Sequence, residues 1–167
     1  MDFITTGFST MFDRKERITG LERWPVIGGL VKESLIDAMI SDMAGLRYGY
    51  DCIKKAEIAS IYAENLYGYK TTVKVGSLMV LSGDRKSKYG FYYQPPLEFH
   101  AWVAIDCLGI IDIGLPGVIH VGLTTKDEYG YFLCGRKPSI LAGVPPYWLE
   151  YDEQESYTPP EWREEHC

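Results

Sequence analysis

Phe99-His100-Ala101-Trp102-Val103-Ala104-Ile105-Asp106-Cys107-Leu108-Gly109-Ile110-Ile111-Asp112-Ile113-Gly114 is the stretch on which the fold turns. Two apolar, β-branched runs flank a short segment containing Asp and Gly, the pattern of two antiparallel strands and their turn. The hairpin carries a histidine on one strand and a carboxylate on the next, a pairing that suits an oriented base. Its register decides whether they meet, because side chains alternate between faces and a slip of one residue moves a whole strand's set. A four-residue loop, Asp106 to Gly109, separates His100 from Asp112. A three-residue loop, with Gly109 as a left-handed bulge residue, sets Trp102 opposite Asp112 and His100 diagonal to it. Diagonal neighbours lie about 7–8 Å apart at the backbone, within reach of long side chains.

Upstream, Tyr48-Gly49-Tyr50-Asp51-Cys52 precedes a helical run from about Ile53 to Tyr67. Asp51 suits the N-cap. Cys52 then falls in the first turn, where the helix dipole favours a thiolate and lowers the thiol pKa. Cys52, Ala56, Ala59, Ala63 and Leu66 recur at spacings of four and three, a face small enough to lie close against a sheet. Gly68 closes the helix, and Lys70 to Ser82 reads as a strand with Val73, Val75, Ser77, Met79 and Leu81 on one face. Before it, Val31, Leu35, Met39, Met43 and Leu46 mark an amphipathic helix from about Leu30 to Leu46, ended near Gly45. Residues 1–30 read as irregular with one short helix.

Tyr89 to Pro96 reads as a loop whose aromatic residues form one wall of a cleft. Beyond Gly114 come an apolar stretch to Leu123, a turn over Thr124 to Tyr129, a strand at Tyr131 to Cys134 and a last strand around Tyr147 to Tyr151. Pro138, Pro145 and Pro146 interrupt any long element between them.

Taken together, Asp51-Cys52 before a helix, the segment Leu66 to Gly76, His100-Ala101-Trp102-Val103 and Ile111-Asp112 resemble the transglutaminase-like branch of the papain-like cysteine enzymes. The resemblance spans roughly residues 45 to 116. It implies an α+β papain-like core, with the cysteine helix packed on an antiparallel β-sheet, and a catalytic triad of Cys52, His100 and Asp112. The implied activity is cysteine protease or acyltransferase chemistry on a peptide or protein amide through a thioester: peptide or isopeptide hydrolysis, deamidation or transamidation, with no cofactor. Asp112-Ile113-Gly114 also resembles the Asp-x-Gly of arylamine N-acetyltransferases, which would add acetyl-CoA as donor.

In such chemistry the Cys52 thiolate attacks a carbonyl, His100 takes and returns the proton, and Asp112 holds the imidazole. The Cys52 backbone N–H is the candidate oxyanion donor. Trp102, Tyr50 and Tyr92 are candidates for shaping the cleft. The plainer reading is that a cysteine on an alanine-rich face is a small buried hydrophobe. It corresponds to a non-catalytic binding module of the same fold, holding a protein partner through the Tyr89 to Tyr93 loop or the acidic C-terminal tail. Asp51 as a cap and Asp106 as a turn residue are the fallback carboxylates, and His120 reads as a core or surface histidine.

Composition narrows the class. With 46% apolar and 14% aromatic residues, the 167-residue chain supports one globular domain, residues 1–151 with a core over about 30–135. The net charge of −6 is local: residues 150–167 carry seven carboxylates and one arginine, whereas the remainder balances. A neutral body with an acidic end offers no field for nucleic acid. Residues 152–167 read as a flexible acidic tail. No apolar run approaches the ~18 residues of a membrane span, and the start lacks a leader pattern, so a cytoplasmic protein is expected. Cys52, Cys107, Cys134 and Cys167 fit neither metal-ligand spacing nor a disulfide framework.

Overall fold

The computed structural model describes residues 17–48, 50–83, 88–124 and 135–158. The strand expected at Tyr131 to Cys134, together with Cys134, His166 and Cys167, lies outside them, as does the turn expected at Thr124 to Tyr129 apart from Thr124. The described chain is α+β, with seven strands in one sheet and three helices.

The strands are β1 (Val26–Ile27), β2 (Thr71–Leu81), β3 (Lys88–Phe91), β4 (His100–Ile105), β5 (Gly109–Asp112), β6 (Ile140–Gly143) and β7 (Leu149–Tyr157). They run in the order β1-β6-β5-β4-β2-β3, with β7 also paired to β2. All pairings are antiparallel except β1 with β6. The helices are α1 (Glu33–Asp42), α2 (Cys52–Tyr67) and α3 (Leu115–Thr124).

Periodicity places α1 well. Val31, Leu35, Met39 and Met43 are buried, and Gly45, at φ 90°, lies in the turn beyond the helix. On α2 the small face is Ala56, Ala59, Ser60 and Ala63, all buried, but Leu66 is 64% exposed. One step of three from Ala63 rotates the side chain off the contact face, and half-buried Tyr67 takes the place expected for Leu66.

The expected single face of β2 does not hold along its length. Val73 and Val75 are buried in the first half, Leu78 and Val80 in the second. The sheet has a core on each side: Val73 and Val75 join α1 and α2, whereas Leu78 and Val80 join α3. A strand covered on both faces can bury either parity. The apolar stretch after Gly114 is the third helix, and Gly122 there lies so close to the Tyr89 ring that a Cβ would meet it at 2.4 Å. Tyr89, expected in a loop, is instead a buried residue of β3.

The largest correction concerns the acidic end. Residues 152–157, expected to be flexible, belong to β7, which pairs with β2 from Val73 to Val80. The acidic side chains face outward and meet cations and a phenol: Glu150 pairs with Lys88, Glu153 with Lys74, and Glu155 accepts from Tyr93. The sheet thus extends well past residue 135. A β-bulge between Val75 and Gly76 leaves Gln154 unpaired, so Tyr157 and Tyr151 reach opposite cores despite their even spacing. Gly76 is required there, since a Cβ would lie 1.9 Å from the Asp152 carbonyl oxygen. No described helix is long and apolar enough to cross a membrane.

Candidate active site where the Cys52 helix meets the His100 strand

The β4–β5 register is the one that joins histidine to carboxylate. Ile105 pairs with Gly109 and Val103 with Ile111, so the loop has three residues and Trp102 stands across from Asp112. The tight residue of the turn is Cys107, at φ 63°, with Gly109 at φ 143° beyond it. Gly109 is needed for close approach, because a Cβ would lie 2.5 Å from the Gly143 carbonyl oxygen. His100 Nε2 and Asp112 Oδ2 are 2.7 Å apart, and both side chains are almost wholly inaccessible.

Asp112 as a carboxylate only accepts hydrogen bonds, so the imidazole must donate from Nε2. That leaves Nδ1 as the basic atom of the neutral ring. Nδ1 is buried and has no hydrogen-bond partner. The Cys52 thiol therefore does not bond to it in the resting arrangement; Sγ lies 4.0 Å from the carbonyl oxygen of Phe99, the residue before His100. Catalytic hydrogen bonds are commonly long before substrate binds.

Asp51 occupies the N-cap position of α2 without capping it. Its backbone is left-handed, at φ 58°, and its carboxylate accepts from the Arg47 backbone N–H at 3.0 Å and from the guanidinium at 3.1 and 3.2 Å. Burial raises the Asp51 pKa, but the bonds and charge of Arg47 outweigh it and hold the carboxyl below its ordinary value. The first amides of α2 stay free of this side chain. Those of Cys52 and Ile53 approach the sulfur.

The expectation of a lowered Cys52 pKa is overturned. Burial pushes the thiol up to about 11, with the Asp112 charge adding to the rise, and the Lys55 charge and helix amides do not compensate. The resting group is a neutral thiol.

Two side chains of the candidate site escape the sequence pattern. Lys55 is buried at 2% exposure, with Nζ donating to the Tyr48 carbonyl oxygen at 2.7 Å. Burial lowers its pKa to about 8, against the opposing pull of Cys52, Asp51 and Asp112. A signal existed: Lys55 lies three residues after Cys52, on the face shared with Ala56 and Ala59. Tyr151 donates its phenol to Asp112 Oδ2 at 2.7 Å. The sequence places Tyr151 at the end of the last expected strand, Tyr147 to Tyr151, and nothing local ties that end to Asp112, 39 residues earlier. Gly114 completes the group: a Cβ there would meet His100 Cε1 at 3.3 Å and Asp112 Oδ1 at 3.5 Å.

A cavity of about 260 Å³ opens beside Cys52, walled by Tyr50, Ile53, Phe91, Leu97 and Phe99. Tyr50 is a cleft residue as expected. Trp102 is not: it is buried at 3% and packs edge-on against Tyr151, with ring centres 4.9 Å apart. Tyr92 also lies outside the cavity wall and is 43% exposed; its place is taken by Pro96 and Leu97. Asp106 is an exposed turn residue, Cys107 is an exposed free thiol, and His120 lies half-buried on α3. Among the described residues no cluster of His, Cys, Asp and Glu is arranged to hold a metal. Comparison with models of known families, with curated proteins and with solved structures finds no match.

Proposed function

We propose that this chain is a thiol-dependent acyl-transfer enzyme of papain-like, transglutaminase-like architecture that acts on the amide of a peptide or protein. The observation that carries the reading is His100 Nδ1, a buried, unpartnered base atom on a ring whose other nitrogen is held by Asp112, together with a helix-initial cysteine that lines a cavity and whose sulfur lies 4.0 Å from the carbonyl oxygen of Phe99, the residue before that histidine.

Substrate binding brings a carbonyl carbon against Sγ. The thiol proton passes to His100 Nδ1 as the S–C bond forms, and the Cys52 and Ile53 amides, at the positive end of α2, receive the charge on the carbonyl oxygen. His100 then returns its proton to the departing amine, and the C–N bond breaks to leave a thioester. Water or a second amine, deprotonated by His100, releases the acyl group. The cavity wall joins apolar Ile53, Phe91, Leu97 and Phe99 to charged Arg47, Asp51 and Glu98, which suits a peptide amide with both apolar and polar neighbours. A nucleophile that must stay reduced suits a reducing compartment such as the cytoplasm.

Acylation by 4-nitrophenyl acetate, mapped by peptide mass spectrometry at all four cysteines, tests the proposal. With its thiol pushed up to about 11, Cys52 without a base would lag behind exposed Cys107 at pH 7.5. We expect it instead to lead by about tenfold or more, and to lose about 100-fold in His100→Ala, as removal of a general base does. Cys52 lagging behind Cys107, with no change in His100→Ala, would overturn the enzyme and favour the binding module.

A further inference from the structure

Asp112 is held by something other than His100. We infer that Tyr151 is a positioning residue: its phenol, delivered by the acidic strand β7, fixes the Asp112 carboxylate that fixes the His100 ring. The inference rests on the catalytic reading only for its effect on rate.

Sheet register puts the groups together. His100 pairs with Gly76 and Tyr151 with Leu78, so both point to the face shared by Trp102 and Asp112. On that face the Tyr151 hydroxyl and His100 Nε2 each lie 2.7 Å from the same oxygen, Asp112 Oδ2. Asp112 Oδ1 has no partner, so among the described residues these two donors are the carboxylate's only side-chain hydrogen bonds. A buried carboxylate with one donor would be free to rotate; a second donor at a fixed angle removes that freedom. The Tyr151 ring is itself locked, edge-on to Trp102 with centres 4.9 Å apart. Burial and the Asp112 charge keep its phenol protonated well above the ordinary range, so it remains a donor.

Without the phenol, Asp112 can turn away, and the preference for a proton on Nε2 weakens. A proton on Nδ1 would occupy the atom that must receive the thiol proton.

The test uses the full chain with ¹⁵N-histidine and reads the His100 ring nitrogens in the parent and in Tyr151→Phe, which keeps the ring packing. In the parent we expect the Nε2–H tautomer and a slowly exchanging ring proton. In Tyr151→Phe the Nδ1–H form should become detectable and ring-proton exchange quicken about tenfold, with Cys52 acylation by 4-nitrophenyl acetate falling about tenfold. In Asp112→Asn, adding Tyr151→Phe should change the acylation rate no further. Site-specific 3-fluorotyrosine at position 151, which keeps the shape and strengthens the donor, covers the case in which Tyr151→Phe does not fold, and should slow ring-proton exchange. A parent-like tautomer and exchange rate in Tyr151→Phe, or an unchanged exchange rate with fluorotyrosine if Tyr151→Phe fails to fold, would overturn the inference. If Cys52 is inert in the parent, the catalytic reading fails, while the nitrogen signals still decide whether Tyr151 positions the pair.

Discussion

Lys55 is the residue whose place in the core is hardest to reconcile with its chemistry. Its pKa falls from 10.5 to about 8 on burial, so below pH 8 both the folded and unfolded chains carry the proton and the folded state bears the full desolvation cost. Between pH 8 and 10.5 the unfolded chain binds more protons, and stability rises with pH. Cys52 works in the opposite sense: its pKa is raised from 9.0 to about 11, so stability declines through that window. Comparing Lys55→Met with the parent reads chiefly the lysine: the variant also withdraws a charge that lowers the Cys52 pKa, but with that thiol pushed up to about 11 the folded chain keeps its proton up to pH 9.5 in both. Urea unfolding should show the parent gaining on the variant from pH 8 to 9.5, by up to about 1.4 kcal/mol per pH unit; a constant difference would mean that the lysine is not desolvated. We further expect Lys55→Met to slow Cys52 acylation, since it removes the nearest cation stabilising a thiolate. The location of Cys52 at a helix start was legible from Asp51-Cys52 and the alanine spacing. Its raised pKa was not, because burial and the charge of Asp112 belong to neighbours from other strands.

At the scale of elements, β7 depends on a single glycine. In Gly76→Ala the new Cβ would stand 1.9 Å from the Asp152 carbonyl oxygen, a clash with backbone that no rotamer relieves. Either β7 shifts or the bulge is lost. We expect a loss of about 3 kcal/mol, with amide exchange quickened along β7 and Val73 to Val80 before the rest of the sheet; uniform exchange throughout would show that β7 does not open separately. The same variant should reproduce part of the Tyr151→Phe phenotype, since it displaces the strand that carries the phenol. The hairpin is legible in the sequence but its register is not: both a four- and a three-residue loop fit, and the structure takes the three-residue one, which sets Trp102 across from Asp112. The face switch of β2 and the β7 bulge are not legible either, because alternation tells which side chains share a face but not how many faces are covered.

For the whole molecule, the sheet makes residues 152–157 part of the domain. Removing residues 152–167 deletes six of the nine residues of β7 and the contacts of Glu153 and Glu155 with Lys74 and Tyr93. A flexible tail would leave the thermal midpoint within a degree or two. The structure predicts a drop of about 10 °C or more, or loss of soluble protein, because each kcal/mol moves the midpoint by about 2–4 °C at this size. By itself the sequence determined what is local: α1 and α2 from their apolar spacing, the β4–β5 hairpin, and the candidate trio in chain order. Tertiary structure alone decided that strongly acidic residues form a strand, that Tyr151 grips Asp112 and that a lysine is buried beside them. The first two depend on partners about 40 to 85 residues away, where pairing with β2 and burial against the second core outweigh local charge and propensity.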